Sequence, residues 1–283
     1  MLRKVIYKAI GTASHAIGNI SDLEVPKVVL SPAIKIYTMG FGINMDEAEV
    51  PQAGYSCFGD FFARRLKKDA RVICPDKDAI ISPCDGRLVA THDLDDDGKS
   101  GLVVKDYDYT IAKMVGEPVQ DKFAGGKGAI IYLHPRDYHR VHVPFDGELI
   151  SVRHIAGTRF PVAPWSEKRV TGLYEKNERM VFNFKISNGF LTVVMVAAFG
   201  VGNITSEFSP GSGNHVSSAR TFKTELKLSK GDELGTFRLG STVVLLWSKN
   251  SIENLISEET PLIFGEKIAN TLNVSNTAGE KDE

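Results

Sequence analysis

The sequence predicts an α+β fold: an N-terminal helical segment followed by a predominantly antiparallel β-rich domain, built as a sandwich or partly closed barrel. Two patterns predict it. Over residues 1–50 apolar side chains recur at near-helical spacing. From about residue 72 short apolar runs follow one another, punctuated by Gly, Asp, Asn and Pro, as strands and their turns are. A core is available: of 283 residues, 42% are hydrophobic and 24% charged, which excludes global disorder and collagen-like architecture.

The helical segment opens with Val5, Ile6, Ala9 and Ile10, and continues with Ala16 and Ile17. A second helix is expected over 25–39, starting near Pro26 and stopping before Gly40, with Val28, Val29, Leu30, Ile34, Ile36 and Tyr37 as its apolar residues. Before position 45 the basic residues Arg3, Lys4, Lys8, Lys27 and Lys35 outnumber Asp22 and Glu24. A basic amphipathic segment can rest on an anionic membrane. Taken alone, the pattern fits better an ordinary helical pair packed on the main domain. Residues 58–66, FGDFFARRL, read as a further helix, with Phe58, Phe61, Phe62 and Leu66 on one face and Arg64 and Arg65 elsewhere.

Strands are expected over 79–82, 86–91, 101–105, 129–133, 148–155, 180–185, 191–198, 224–228 and 242–247, with one helical insert at 110–115. Residues 209–214, SPGSGN, read as a mobile loop, and the polar tail from 270 as frayed. The expected organisation is a helical segment at 1–50, a β-rich domain at 51–269 and a flexible tail at 270–283, the first two read as membrane-docking and catalytic only through a family resemblance.

Several function classes drop out early. Lys+Arg total 34 against 35 Asp+Glu, so wholesale nucleic-acid binding is not expected. Cys57, Cys74 and Cys84 are too few and too irregular for a disulfide framework or a cysteine zinc site, which suggests a reducing compartment. The longest apolar stretch, 193–202, falls short of the roughly 20 residues a spanning helix needs. The N-terminus lacks the long apolar run of a signal peptide. A chain of this kind that meets a membrane lies on it.

Three places could carry chemistry. The segment YLHPRDYHRVHVP (132–144) sets His134, His139 and His142 beside two arginines and an aspartate. A metal site is one reading, although no Asp, Glu or Cys has familiar ligand spacing, and hydrogen-bonding histidines at a strand end is another. Asp85 sits in the turn SPCDG (82–86), where an Asp-Gly pair needs no function. Gly240-Ser241-Thr242 opens a strongly apolar strand, which alone is a glycine bend. Together they supply an orienter, a base and a nucleophile, the parts of a catalytic triad. The glycine before the serine would let the backbone strain and the hydroxyl approach the preceding carbonyl.

With these residues in view, the chain resembles the phosphatidylserine decarboxylases from about Phe58 to Leu262. The resemblance rests on LGST (239–242) preceded by KGDELGTFR, on RDYHRVH (136–142) and on Asp85-Gly86, with support from FGDFFARRL, KDYDYT (105–110), KNERM (176–180) and VAAFGVGNI (196–204). It departs from several relatives at Pro161, Ala163 and Asn203, which leaves the substrate loop the least defined part; Phe160, Ala163 and Trp165 are the candidates there.

The resemblance implies a proenzyme that cuts itself between Gly240 and Ser241 and converts Ser241 into a covalent pyruvoyl group. Asp85 would orient His142, His142 would deprotonate Ser241, and Ser241 would attack the Gly240 carbonyl. A β chain (1–240) and an α chain (241–283) would stay together as a heterodimer, with a homodimer of these possible. The pyruvoyl would form a Schiff base with the amine of phosphatidylserine and accept electrons as CO₂ leaves, giving phosphatidylethanolamine for phospholipid biosynthesis; His139 would assist decarboxylation and reprotonation. No metal is required. A lipid substrate raises the weight of membrane contact through residues 1–45, peripheral on the cytoplasmic face of the cell membrane. Alternatives are a pyruvoyl decarboxylase of a soluble amino acid or an ether lipid, or a non-enzymatic β-rich module whose histidines hold a metal.

Overall fold

The computed structural model describes residues 17–18, 20–97, 102–104, 107–117, 120–162, 170–198, 204–209, 220–238 and 240–272. Its centre is an eight-stranded antiparallel sheet. The strands are β1 (Gly86–Asp93), β2 (Lys127–Leu133), β3 (Gly147–Ile155), β4 (Arg179–Ile186), β5 (Gly189–Ala197), β6 (Arg220–Leu228), β7 (Ser241–Trp247) and β8 (Pro261–Leu262), in the spatial order β6-β3-β4-β5-β7-β2-β1-β8. The expected α+β class and its strands are borne out, and among the described residues no barrel closes.

The central strands are covered on both faces. Every residue of β7 is buried, as are seven of the nine in β5. Hence 191–198 and 242–247 read as continuous apolar runs and not as alternation. The edge strand β6 is blunted by Lys223, Glu225 and Lys227, which disfavours pairing with another chain. Ile111–Val115, the expected insert, seals part of the sheet with Ile111, Met114 and Val115 fully buried. The buried Arg179 fixes its end by donating to the Met114 and Lys113 carbonyls, both at 3.0 Å.

Two smaller sheets shape the site. One joins Arg140–His142, Glu233–Phe237 and Ile204–Thr205; the other joins Ala79–Ile81, Lys267–Thr271 and Ile252–Glu253. The last long strand thus runs past residue 269. Residues 1–16, all of the expected 209–214 loop beyond Ser209, and the tail from 273 lie outside the described residues.

Helix α1 (Lys27–Phe41) runs two residues further than expected. It passes through Gly40 because Gly42 is the residue that takes the left-handed conformation (φ 67°) and returns its N–H to the Thr38 carbonyl. Only Leu30 is fully buried, while Val28, Val29, Ile36 and Met39 are 59–80% exposed. Tyr37 anchors the helix against Phe58, Phe61 and Phe62.

The helix expected over 58–66 stops at Phe62, giving α2 (Phe58–Phe62). The Ala63 carbonyl accepts from Arg140 Nε at 3.0 Å, and Arg65–Leu66 turns into a ladder with Ala48–Glu49. Tertiary partners for the backbone outweigh helix propensity here.

Gly86 opens β1 where a Cβ would lie 2.6 Å from the Tyr132 carbonyl oxygen of β2. The Asp-Gly turn therefore needs glycine for close approach of two backbones. Gly86→Ala is expected to cost about 1–3 kcal/mol of stability, read as a lowered urea midpoint. An unchanged midpoint would show that the two strands can separate without penalty.

Candidate active site

Asp85 ends the turn between Ala79–Ile81 and β1, and is buried. Arg71 grips it with a fork: Nε donates to Oδ1 at 3.1 Å and Nη2 to Oδ2 at 2.6 Å. The Phe264 N–H adds a bond to Oδ1 at 2.8 Å. Glu47 sits on the far side of Arg71 at 2.8 Å. The carboxylate is thus compensated in place by charge-assisted bonds.

His142 lies across the same Phe264, whose ring stacks on the imidazole at 3.8 Å and 13°. Its backbone N–H donates to the Pro83 carbonyl at 2.8 Å, which ties it to the Asp85 turn. Its ring nitrogens go elsewhere: Nδ1 meets the Gly231 carbonyl at 2.9 Å and Nε2 meets the Tyr138 hydroxyl at 3.1 Å. A carbonyl only accepts, so Nδ1 carries the proton and Nε2 accepts from Tyr138. Asp85 and His142 are brought together around Phe264, but the carboxylate does not hydrogen-bond to the ring; the Gly231 carbonyl orients the imidazole instead.

His139 is fully buried under Phe62, with ring centroids 4.1 Å apart. Its Nδ1 meets the Asp137 carbonyl at 2.8 Å, which fixes the same tautomer and leaves Nε2 as a lone pair without a hydrogen-bond partner among the described residues. Burial lowers both histidines, His142 to about 4 and His139 to about 3, so both are neutral near pH 7. His134 stays in the preceding turn, where its N–H donates to Asp137 Oδ2 at 2.7 Å.

Ser241 is the first residue of β7, opposite Ala197 of β5 and Leu133 of β2. It is fully buried, and its Oγ has no partner among the described residues. Gly240 is partly exposed and sits in open space; a Cβ there would meet only Ala198, at 3.9 Å. Its φ is not left-handed, so the expected backbone strain at this glycine is not what the geometry provides. It provides room around the Gly240 α-carbon.

One ladder joins these parts. Arg140–His142 pairs with Glu233–Phe237 (His142 with Glu233, Arg140 with Thr236), and the Phe237 N–H donates to the His139 carbonyl at 2.9 Å. The segment before the Gly-Ser junction is thereby laid along the histidine motif, and supplies Gly231 to it.

Among the residues proposed for substrate contact, Phe160 is buried and its backbone is held by both ends of the Asn177 amide. Ala163 and Trp165 lie outside the described residues. Sequence reasoning missed Arg71, Phe264, Tyr138, Gly231 and Arg64. Tyr138 and Gly231 stood inside quoted motifs; nothing local marked Arg71 or Phe264. Cys84 is fully buried beside Asp85, and burial raises its thiol well above the ordinary range, so it stays an inert packing residue. Among the described residues no group of three His, Cys, Asp or Glu side chains could hold a metal ion.

A family profile described as phosphatidylserine decarboxylase matches residues 58–270. The chain belongs to the phosphatidylserine decarboxylase family. It is 35% identical over 261 residues to a phosphatidylserine decarboxylase proenzyme of Shewanella halifaxensis, covering 88% of this chain and 89% of the relative. It is 33% identical over 276 residues to the one of Hahella chejuensis (95% and 92%), and 37% identical over 230 residues to the one of Coxiella burnetii (78% and 80%). A member of the phosphatidylserine decarboxylase family is a carboxy-lyase, so the non-enzymatic alternative falls.

The neutral histidines carry a pH signature. An unfolded chain takes up protons below about pH 6.5, while the folded one resists until about 4 at His142 and about 3 at His139. Stability is therefore full above pH 6.5 and falls as the pH drops towards 4, by on the order of 1–2 kcal/mol per histidine at pH 5. Urea titrations at pH 7 and 5, made on a Ser241→Ala background with and without His142→Gln, should show a smaller pH effect in the double variant. Equal effects would place the acid sensitivity elsewhere.

Proposed function

We propose that this protein decarboxylates phosphatidylserine to phosphatidylethanolamine, after cutting its own backbone between Gly240 and Ser241 and converting Ser241 into a pyruvoyl group. The observation that carries the reading is a buried Ser241 hydroxyl with no competing hydrogen bond among the described residues, directly after an uncrowded, partly exposed Gly240, with two neutral, tautomer-fixed histidines on the segment paired to the strand that leads into this junction. A nucleophile without a competing hydrogen bond next to an accessible carbonyl is what an intramolecular acyl shift requires. The relatives' names, which call them proenzymes, are consistent with it.

Self-cleavage follows from these groups. Ser241 Oγ loses its proton to His142 and attacks the Gly240 carbonyl carbon. The C–N bond breaks and the acyl group passes to oxygen as an ester. Loss of the Ser241 α-proton expels the Gly240 carboxylate and leaves a dehydroalanine. Its imine tautomer takes up water and releases ammonia, so the new α chain of 43 residues begins with a ketone. For His142 to act, the Tyr138 hydroxyl must first leave Nε2; Arg71 holds Asp85 in place near the imidazolium that forms. The pyruvoyl group supplies the electron sink that decarboxylation of an amino acid demands. The Nε2 lone pair of His139 takes up the proton that the substrate ammonium sheds on reacting and then returns it to the substrate α-carbon.

The lipid reading is supported by α1. A helix that buries only Leu30 and exposes Val28, Val29, Ile36 and Met39 next to Lys27 and Lys35 presents an apolar, basic face suited to an anionic bilayer. No described helix is long and apolar enough to cross a membrane. The proposed contact is therefore peripheral. Its axis leads inward through Tyr37 and Phe62 to His139.

Intact mass after denaturation tests the core of the proposal: fragments 1–240 and 241–283, the second lacking ammonia, are expected. A working enzyme with one unbroken chain would refute it. Ser241→Ala and His142→Ala should accumulate uncleaved, inactive protein, whereas His139→Ala should cleave and lose turnover by at least about a hundredfold. Loss of cleavage in His139→Ala would overturn the division of labour. In liposome co-sedimentation a truncation starting near residue 50 should lose binding to anionic vesicles, and undiminished binding would remove α1 from the docking surface.

A further inference from the structure

A cavity of about 1010 Å³ opens between α2 and the Arg140–Glu233 ladder, with Tyr55, Arg64, Arg65, Arg140 and Arg238 in its wall. Three of the four arginines are matched. Arg140 pairs with Glu233 at 2.6 Å, Arg65 faces the same carboxylate at 3.6 Å, and Arg238 holds Asp22 and Asp60 at 2.7 and 2.8 Å. Arg64 is not. It is 4% exposed and has no carboxylate within ion-pair distance among the described residues; its Nε and Nη1 have no hydrogen-bond partner. Tyr55, in the same wall, also has a buried hydroxyl without a partner, and lies within electrostatic reach of the guanidinium.

Unmatched N–H and O–H donors around one buried cation leave a deficit of acceptors. An anion with several oxygens is the chemistry that fills it. The site is also placed for catalysis. Arg64 Nη2 donates to the Arg136 carbonyl at 2.8 Å and to the Asp137 carbonyl at 3.2 Å. The Asp137 carbonyl is the one that fixes the tautomer of His139. An anion held by Arg64 therefore sits beside the proposed proton donor.

We propose that Arg64 and Tyr55 form the subsite for the phosphodiester of the substrate headgroup. The proposal rests on the phospholipid reading above. Phosphatidylserine carries two anionic groups, and the chemistry selects between them. An arginine on the departing carboxylate would stabilise the ground state more than the transition state and slow its loss. The phosphodiester is unchanged by the reaction and stands only a few bonds from the α-carbon, so a fixed cation there positions the reacting carbon at no cost to the chemical step.

The test uses the full-length, self-processed enzyme. Arg64→Met, Arg64→Lys and Tyr55→Phe are assayed for cleavage by gel, for KM and kcat on phosphatidylserine in mixed micelles, and for inhibition by glycerophosphoethanolamine and by inorganic phosphate. Complete cleavage is expected, with KM raised about ten- to a hundredfold in Arg64→Met and less in the other two. Glycerophosphoethanolamine should inhibit the wild type more strongly than inorganic phosphate, and both effects should fade in Arg64→Met. Wild-type KM in cleaved variants, a loss confined to kcat, or inhibition by inorganic phosphate alone would overturn the subsite. Should Arg64→Met fail to fold, an unchanged KM in both Tyr55→Phe and Arg64→Lys overturns it equally. A wild-type chain that remains whole overturns the functional reading together with the subsite, and so is distinguished from failure of the subsite alone.

Discussion

The antiparallel pairing of Arg140–His142 with Glu233–Phe237 is the constraint on which the site depends. It joins two segments nearly a hundred positions apart and fixes their register, since a slip of one residue would turn every side chain to the opposite face. From that register follow the Gly231 carbonyl under His142, the ion pair of Arg140 with Glu233, and the Phe237 N–H on His139. The chain then needs only a few residues to enter β7 at Ser241. The main sheet holds the proposed nucleophile Ser241, and the small sheet holds the proposed base His142.

The site pays heavily in unsatisfied polar groups. Ser241 Oγ, His139 Nε2, Thr242 Oγ1, Tyr55 Oη and two nitrogens of Arg64 are buried without partners among the described residues. Each such group costs on the order of 1–3 kcal/mol in a folded core. Half of the twelve buried, unpartnered side-chain atoms among the described residues lie here; the rest, Thr38 Oγ1, His92 Nε2 and Trp247 Nε1 among them, are scattered over the fold. The eight-stranded sheet, with β5 and β7 buried on both faces, supplies the offsetting stability.

Much of this was legible in the sequence. Strand positions followed from apolar runs and their punctuation, because buried central strands leave little else for the pattern to mean. The histidine motif, the Asp-Gly turn and the Gly-Ser junction were recognisable as parts. Their connections were not. The Asp85 carboxylate reads as the orienter of His142, yet Arg71, with no local signal, occupies both its oxygens. Helix 58–66 reads as amphipathic with Arg64 off its apolar face; Arg64 turns inward to carbonyls of the histidine loop, more than seventy residues on. Long-range partners for polar side chains and backbone leave no periodicity to read.

Strand β7 is bonded along its whole length to β5 on one side and β2 on the other, beginning with its first residue. A backbone cut immediately before that residue would release nothing. The C-terminal piece would stay laced into the middle of the sheet, and pulling it free would mean opening two seams at once and exposing Trp247 and its neighbours to water. Such a molecule keeps one topology while gaining two new chain ends, one of them sealed in its interior. Such a nick would be mechanically silent, and the fragments would part only when the fold itself was lost.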